Sequence, residues 1–365
     1  MPELSSYKKD YDLLVQAARA AGDIAKTAFL QSDMKVWDKA KNHPVTEADL
    51  AVNNCLHDLL MTARPDYGWL SEETKDDRSR HERTRSFVID PIDGTRAFID
   101  RSPNFTVSLA VIENDIPIVG VIYNPLKDEL FGAYKGGGAV LNDKPISPSP
   151  CREIAACKMI GYPRKFRRLG WPPMDVSVVN SMAYRVALVA AGLRDGTVSF
   201  TPKSDWDVAA GAIIAVEAGA RITTLDGAEL CFNQALPSQM GIVCSGPELH
   251  QKLTARLRPL VDVVKKSDNP SRDFSHMGTF MSDRDENNET EQLLHIVIGG
   301  ELVDPLKTEF KDLDAVEYVG AYSCYSDARD AWKAAAQRTV DNAHMRYFVL
   351  HAHKLIDPDK DGFIG

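Results

Sequence analysis

Apolar side chains recur at helical spacing near the start of the chain. Residues 7–30 carry them three and four positions apart, which predicts an amphipathic helix, and residues 47–61 predict a second one. The polar stretch between them, DKAKNHPVTEAD, is predicted to be a turn in which Thr46 caps the second helix. The pattern then changes to short runs of β-branched and aromatic residues. The runs SFVID, FTVSLAVIEN, IPIVGVIYNP and ELFGAYKGGGAVLN predict consecutive strands of one sheet.

Helical and strand patterns alternate further along the chain. CKMIGY and GTVSF predict strands, and MAYRVALVAAG and WDVAAGAIIAVEAGA predict helices. RKFRR, which lies between CKMIGY and MAYRVALVAAG, is interpreted as a basic loop. Intermixed helices and strands are typical of an α/β protein built in layers.

The composition changes after residue 265. Residues 266–290 are polar and nearly free of aliphatic side chains, which is typical of a flexible linker. Two strand patterns, a helix pattern and a further strand pattern follow, so residues 291–358 are predicted to form a small α+β domain. We therefore divide the chain into a large α/β domain at 1–265, a linker at 266–290, the small domain at 291–358 and an acidic end at 359–365.

The charge balance excludes some partners. The 365 residues include 52 acidic and 43 basic side chains, a net charge of −9, which argues against a nucleic-acid polymer or an anionic membrane as partner. The six cysteines show no CxxC spacing, so neither a disulfide framework nor a zinc site is expected. The first residues lack the apolar stretch of a secretory signal, and no run of about 18 apolar residues occurs. We expect a cytoplasmic protein.

The stretch DPIDGTRAF places two carboxylates close together. Asp90 ends a predicted strand, and Pro91 lacks the N–H that would continue the hydrogen-bond ladder. Ile92 and Asp93 are therefore predicted to turn away from the sheet. Like charges this near repel, and a bound cation between them is one way to make the arrangement favourable.

Further acids occupy comparable positions. Glu72 and Glu73 follow a short apolar strand in GWLSEET, and Asp207 lies in the first turn of an apolar helix that Ser204 or Asp205 caps. Any one of these acids is ordinarily a turn former or a cap. Together, with almost no basic residue nearby, they predict a site for a hard cation, and carboxylate and carbonyl oxygens suit Mg²⁺.

Gly94 and Thr95 follow the paired carboxylates. Glycine lets the backbone approach a ligand, and amides at the start of a helix can hold a phosphate. Thr95 either orients a water molecule or simply caps the helix. A metal site beside such amides indicates phosphoryl chemistry.

GWLSEET, DPIDGTRAF and WDVAAGAIIAVEAGA resemble, in order, the three signature motifs of the inositol monophosphatase superfamily. The resemblance covers residues 7–262. It implies an αβαβα layered sandwich, usually a homodimer, in which residues 1–265 form a catalytic domain. It also implies hydrolysis of a small phosphate monoester with two or three Mg²⁺ ions, often inhibited by lithium.

The resemblance also assigns roles to individual residues. The metal ligands it implies are Glu72, Asp90, the carbonyl of Ile92, Asp93 and Asp207. Thr95 and Glu72 match the residues that aim the attacking water, and Asp49 matches the acid that partners the threonine. The amides of Gly94 and Thr95 match the phosphate-binding groups. Glu73 matches an acid that supports the ligands from outside.

The substrate is less clearly indicated. Inositol-specific members carry an acid about seven positions before the third-motif aspartate, where this chain has Phe200, a ring that either packs in its strand or faces a nucleobase. Arg185 falls where 3′(2′),5′-bisphosphate nucleotidases place a lysine toward a second phosphate, and the cations of RKFRR either assist it or are simply solvated. SDWD and PVTEAD also resemble those nucleotidases. We favour a bisphosphate nucleotide as substrate.

Three alternatives stay open. VIYNPLKDELF resembles inositol monophosphatases and DGTRAFI resembles histidinol phosphatases, so inositol 1-phosphate and histidinol phosphate are alternative substrates. The third alternative is a binding or regulatory protein that keeps the phosphatase fold.

Residues 291–358 resemble the domain of unknown function 4170, for which we expect a role in oligomerisation or in binding an unknown protein partner. His351 and His353 share a strand face, which is either a half-exposed surface or a metal pair. The final DPDKDGFIG resembles the first nine positions of an EF-hand loop and stops before the bidentate glutamate, so we favour an acidic terminus without a bound cation.

Overall fold

The structure is a computed structural model, and it describes residues 2–31, 35–40, 43–265, 295–303, 310–322, 325–339 and 344–351. The chain divides into two compact units, Met1–Met281 and Ser282–Gly365. Both the predicted linker at 266–290 and the acidic end at 359–365 lie outside the described residues. Within the described part of the chain, none of the helices has the length and apolar character needed to span a bilayer.

Helices and strands of the first unit alternate along the chain. Its α-helices are α1 (Pro2–Leu30), α2 (Glu47–Ala63), α3 (Thr95–Ile99), α4 (Pro163–Arg168), α5 (Met182–Ala190), α6 (Asp205–Glu217) and α7 (Pro247–Lys265). Its strands are β1 (Val36–Ala40), β2 (His43–Thr46), β3 (Gly68–Ser71), β4 (Arg85–Asp93), β5 (Thr106–Glu113), β6 (Ile116–Asn124), β7 (Glu129–Tyr134), β8 (Ala139–Leu141), β9 (Lys144–Pro145), β10 (Lys158–Ile160), β11 (Asp175–Ser177), β12 (Gly196–Ser199), β13 (Lys203–Ser204), β14 (Arg221–Thr223), β15 (Ser238–Gln239) and β16 (Ile242–Ser245). A 3-10 helix spans Ser79–Glu82.

The first large sheet has seven strands in the order β3-β4-β5-β6-β7-β8-β9, with β3 parallel to β4 and every other pair antiparallel. Successive side chains of a strand point to opposite faces. Phe87 and Ile89 of β4 therefore pack in the core beneath α1 and α2, while Val88 packs with α5 and α6. Both faces are covered, which explains why these strands are apolar throughout.

The layers continue on the far side of α5 and α6. A second sheet, with five strands in the order β11-β10-β12-β16-β14, packs against these helices, and α7 covers its outer face. The apolar, small-residue sequence of α6 suits this central layer, where a helix is buried on all sides. The resulting order of layers is αβαβα, as predicted.

Two local predictions were wrong. The stretch before α2, predicted to be a turn, contains the antiparallel pair β1 and β2, because Val45 is buried and anchors the second strand. The prediction that Thr46 caps α2 is confirmed. RKFRR, predicted to be a loop, forms α4. Pro163 occupies the favoured first position of that helix and Phe166 buries its ring in the second core, so the segment has an apolar anchor.

The second unit is a small α+β fold. Its elements are β17 (His295–Glu301), β18 (Glu317–Tyr322), α8 (Tyr325–Arg338) and β19 (Met345–His351). The strands form an antiparallel sheet in the order β18-β17-β19, and α8 contacts all three. Trp332 of α8 donates from Nε1 to the carbonyl of Tyr347, 2.7 Å away. The His351 side chain, His353 and DPDKDGFIG lie outside the described residues. The interpretations of the histidine pair and of the acidic terminus therefore stay predictions.

A buried ionic network fixes α1 to the first sheet. Asp10 is 1% exposed and accepts hydrogen bonds from Arg64 Nε at 3.0 Å, Tyr67 Oη at 2.8 Å and Arg85 Nη1 at 3.0 Å. Arg85 also pairs with Glu113 at 2.7 Å. Because Arg85 begins β4, this network lies at the opposite end of that strand from Asp90 and the residues that follow it.

Removal of the Asp10 carboxylate should therefore destabilise the fold without touching the acids at the far end of β4. We expect Asp10→Ala to lower the free energy of unfolding by about 2–4 kcal/mol, because it removes a buried carboxylate that accepts three hydrogen bonds, two of them from partly buried arginines. Urea unfolding measures the loss. Glu153→Ala is the control, since its ion pair with Lys252 is exposed and should contribute less than about 1 kcal/mol. Equal losses in the two variants would contradict this account.

Candidate active site

The end of β4 brings two carboxylates together through an irregularity in the ladder. Asp90 pairs with Ser108 of β5 and Asp93 pairs with Thr106, so three steps on β4 match two on β5. The extra residue is a β-bulge, which arises where Pro91 cannot donate to the ladder. The prediction that the strand ends at Asp90 was therefore wrong, because pairing resumes at Asp93 once the proline is passed.

Gly94 makes the turn from β4 into α3. Its φ of +99° lies in the left-handed region that favours glycine. A Cβ at this position would also stand 3.2 Å from both the carbonyl oxygen of Asn104 and Cβ of Ser181, closer than ordinary contact. Glycine thus allows a distant segment of the chain to approach the carboxylates, and Thr95 follows directly as the first residue of α3.

Three carboxylates converge as predicted. One oxygen from each of Asp90, Asp93 and Asp207 lies within 4.8 Å of the other two. Asp207 is in the first turn of α6, where its Oδ2 accepts from the backbone N–H of the N-cap residue Ser204 at 2.8 Å. The spacing suits three ligands of one cation.

The start of α5 holds Asp93. The carboxylate accepts hydrogen bonds from Ser181 Oγ at 2.7 Å, from the backbone N–H of Met182 at 3.1 Å and from that of Ala183 at 2.6 Å. Ser181 is the N-cap of α5, so the acid occupies the positive end of the helix.

The environment of these acids disfavours their negative charge. Burial, followed by repulsion from Glu72, Asp93, Asp207 and Asp49, raises the pKa of Asp90 well above its ordinary value. Burial and the Asp207 charge raise the pKa of Asp93 to about 6, against the opposing effect of its three hydrogen bonds. Asp90 Oδ1 is buried and finds no hydrogen-bond partner among the described residues. An unsatisfied buried carboxylate oxygen facing other carboxylates fits a hard divalent cation.

Asp49 and Thr95 meet beside this cluster. Asp49 is 1% exposed and its Oδ2 accepts from the backbone N–H of Thr46 at 2.8 Å and from the Thr46 hydroxyl at 2.6 Å. Thr95 Oγ1 lies 3.3 Å from Asp49 Oδ1 and 3.2 Å from the carbonyl oxygen of Ile92. The structure thus brings together the pair that the resemblance matched, with the Ile92 carbonyl beside it.

Glu72 and Glu73 follow β3 in a turn that polar side chains stabilise. The Glu72 N–H donates to the Ile89 carbonyl at 3.2 Å, and Ser71 Oγ donates to Asn53 Oδ1 at 2.7 Å while accepting from Glu73 N–H at 3.3 Å. Glu72 is half-buried, and its charge is the strongest of the four that act on Asp90. It therefore belongs to the same electrostatic cluster.

Arg185 lies in α5, two residues beyond Ala183. It is 3% exposed, its Nε donates to the Val179 carbonyl and its guanidinium carbon lies 4.9 Å from the centroid of the Tyr162 ring.

Phe200 is 3% exposed, and its ring packs edge-on against that of Phe166, with the two ring centroids 5.9 Å apart. Of the two interpretations of Phe200, packing within its strand or facing a nucleobase, the structure supports packing.

Two residues near the cluster were not predicted. Ser181 precedes an apolar helix, a sequence pattern that predicts an N-cap. Its contact with Asp93 joins residues 88 positions apart, and no local sequence pattern predicts such a contact. Asp205 was considered only as a cap. It is fully buried and accepts from Asn233 N–H and Gln239 Nε2, each at 2.8 Å, which fixes the 232–239 loop to the start of α6.

A layered α/β domain with converging carboxylates at strand ends and helix starts defines a protein equipped to bind a divalent cation. Comparison with known proteins identifies the group: residues 6–262 match the inositol monophosphatase family, and the chain belongs to that family. Residues 293–352 match a domain of unknown function, DUF4170.

Individual relatives carry different names. The chain is 30% identical over 271 residues to the Nus factor SuhB of Pasteurella multocida, covering 70% of this chain and 98% of that protein. It is 33% identical over 234 residues to the 3′(2′),5′-bisphosphate nucleotidase CysQ of Escherichia coli K12, covering 60% and 93%. A solved structure of an IMPase from Thermotoga maritima superposes with a TM-score of 0.62 at 27% identity, covering 70% of this chain and 99% of that one.

The raised pKa values give a pH dependence with a defined sign. Between the ordinary aspartate pKa of about 4 and the value of about 6 for Asp93, the folded chain binds more protons than the unfolded chain, so without a cation its stability should fall as pH rises through this window. A divalent cation bound by these carboxylates would replace those protons. We expect Mg²⁺ to raise the melting temperature more at about pH 8 than at about pH 5.

Thermal melts with excess Mg²⁺ or with EDTA measure this difference. Asp93→Asn should reduce the Mg²⁺ effect, whereas Asp58→Asn, at a side chain that is 86% exposed, should leave it unchanged. A Mg²⁺ effect of equal size at both pH values would count against cation binding by the raised-pKa carboxylates.

Proposed function

We propose that the protein is a Mg²⁺-dependent phosphatase that hydrolyses a small phosphate monoester. The observation that carries the proposal is the convergence of Asp90, Asp93 and Asp207, with a buried Asp90 oxygen that no described residue satisfies. Like charges gathered in this way repel one another, and either protonation or a bound cation relieves the repulsion. A site that holds a cation can in turn bind an anionic ester, even in a chain with a net charge of −9.

The residues that would hold Mg²⁺ are oxygen donors, as that ion prefers. They are Glu72, Asp90, the carbonyl of Ile92, Asp93 and Asp207. When bound, the ion lowers the pKa of water and neutralises negative charge on the phosphate, the two effects that hydrolysis of a monoester most needs.

Thr95 and Asp49 orient the attacking water. The Thr95 hydroxyl has one proton, and when that proton is donated to Asp49 Oδ1 the hydroxyl oxygen can accept a hydrogen bond from water. Asp49 is held as an acceptor by its bonds from Thr46. Gly94 and Thr95 supply amides at the start of α3, which have no partner within the helix and can donate to phosphate oxygens.

Phosphate release from generic small monoesters, with and without EDTA, tests the proposed chemistry. We expect activity only with Mg²⁺, and we expect Asp93→Asn to lower kcat by at least about 100-fold, because the variant loses one of the four carboxylate charges that would hold the ion. Asp175→Asn, at a side chain that is 63% exposed, is the matched control. Undiminished turnover in Asp93→Asn would refute the metal assignment.

We further propose that the substrate carries a second anionic group, as a 3′(2′),5′-bisphosphate nucleotide does. Arg185 is almost fully buried, and within the described part of the chain it makes no ion pair. Its Nη groups donate to no described residue. A buried cation without a counter-ion is costly, so an anionic ligand group is its expected partner.

The surroundings of Arg185 support this anion site. Arg185 and Lys165 contact the same ring, that of Tyr162, at 4.9 Å and 5.0 Å from its centroid. Lys165 belongs to α4, so the basic RKFRR segment and Arg185 contact the same aromatic ring. Because Arg185 follows Ala183, whose amide holds Asp93, the anion site and the proposed metal site share one helix. The likeness to CysQ points to the same substrate class.

Substrate comparison separates the candidates. We expect adenosine 3′,5′-bisphosphate to be hydrolysed with a higher kcat/KM than inositol 1-phosphate or histidinol phosphate. Arg185→Gln should lower kcat/KM for the bisphosphate by about 10- to 100-fold, as expected for the loss of a hydrogen bond to a charged group, and should affect the other two esters little. Arg185→Lys should restore part of the loss.

Arg164→Gln is the matched control, because it removes an exposed cation from the same basic segment. A preference for inositol 1-phosphate that Arg185→Gln leaves unchanged would favour an inositol monophosphatase, as the IMPase relative suggests. No turnover of any ester, with Mg²⁺ binding intact, would favour a regulatory role, as the name of the SuhB relative suggests.

A further inference from the structure

The start of α5 is built around Asp93 and not only around its own N-cap. The first N–H groups of a helix have no partner within the helix. The N–H of Tyr184 finds one in Ser181 Oγ at 3.0 Å, but those of Met182 and Ala183 donate to the carboxylate of Asp93. An acid from the end of β4 thus completes the cap of a helix from another layer.

The hydroxyl of Ser181 has a defined direction. It donates to Asp93 Oδ2 at 2.7 Å, which uses its single proton once Asp93 is ionised. The neighbouring hydroxyl of Thr106 is 3.1 Å away, so Thr106 must donate to Ser181. Thr106 is also the residue opposite Asp93 in the β4–β5 register. The hydrogen bonds therefore run in one direction, from Thr106 to Ser181 and from Ser181 to the Asp93 carboxylate, so each strengthens the next.

These groups are rigidly placed. Ser181 and Thr106 are both fully buried, and Gly94 permits the close approach because a Cβ there would stand 3.2 Å from Ser181 Cβ. An ordinary N-cap needs only to accept from the helix. The additional donation from Ser181 to a buried carboxylate, supported from behind by Thr106, is not required for capping.

We propose that Ser181, supported by Thr106, is a positioning residue that presents the Asp93 carboxylate to the divalent cation. The inference rests on the proposed metal site. The three donors bind both carboxylate oxygens, Met182 at Oδ1 and Ser181 and Ala183 at Oδ2, and thereby oppose rotation of the group away from Asp90 and Asp207. Loss of such a supporting hydrogen bond typically weakens metal binding by about 10- to 100-fold.

Isothermal titration calorimetry with Mg²⁺ on the full chain tests this proposal, and it needs no substrate. We expect Ser181→Ala to weaken Mg²⁺ binding by about 10- to 100-fold and Ser181→Thr, which keeps the hydroxyl, to restore most of the affinity. Thr106→Val keeps the side-chain shape and should weaken binding in the same direction by a smaller factor. In the double variant, Thr106→Val should add nothing to the effect of Ser181→Ala, because the two act through one chain of hydrogen bonds.

Thr197→Val is the matched control, since it also removes one buried hydroxyl, the one that donates to the Ile160 carbonyl at 3.0 Å. It should leave Mg²⁺ affinity at the wild-type value. Wild-type affinity in Ser181→Ala, with a melting temperature lowered as in Thr197→Val, would overturn the proposal and leave Ser181 as a cap only. If Ser181→Ala does not fold, unchanged affinity in Thr106→Val overturns it equally.

The outcome is separable from that of the proposed function. If wild-type protein binds Mg²⁺ but hydrolyses no ester, the phosphatase proposal fails while the affinities of the Ser181 variants still decide the positioning role. If wild-type protein binds no Mg²⁺, both proposals fail.

Discussion

Electrostatic repulsion among buried carboxylates is the constraint on which this structure depends. Asp90 is buried beside Asp93 of its own strand and beside Glu72, Asp49 and Asp207 from three other segments of the chain, and each of these charges raises its pKa. The fold brings them together only because a layered sandwich directs strand ends and helix starts to one region. A divalent cation bound among these carboxylates would convert this repulsion into attraction, which is the basis of the proposed metal site.

Helix starts reduce the cost of that repulsion before any ion arrives. Asp49 lies in the first turn of α2, Asp207 lies in the first turn of α6, and Asp93 is held by the amides of α5. Each carboxylate thus meets the positive end of a helix dipole. Asp90 Oδ1, in contrast, is buried and accepts a hydrogen bond from no described residue.

The sequence predicted the elements of the site better than their connections. Layered α/β architecture follows from the intermixed helix and strand patterns, and strand-end and helix-start acids predict the convergence of Asp90, Asp93 and Asp207. The αβαβα order of the layers was implied only by the resemblance to the family. The bulge after Pro91 was missed because a proline equally ends a strand or interrupts it, and only the pairing of Asp93 with Thr106 distinguishes the two. The helix α4 was not predicted because four of the five residues of RKFRR are basic, and its only apolar residue, Phe166, is too little to give a helical pattern. Ser181 was missed because its contact with Asp93 exists only after the layers have packed.

Crystals soaked with Mn²⁺ would test the central claim most directly, because that ion substitutes for Mg²⁺ at oxygen ligands and scatters anomalously. The account predicts an anomalous peak at coordination distance, about 2.0–2.4 Å, from carboxylate oxygens of Asp90, Asp93 and Asp207 together. A density map without a peak there, with these side chains turned instead toward lysine or arginine, would contradict it.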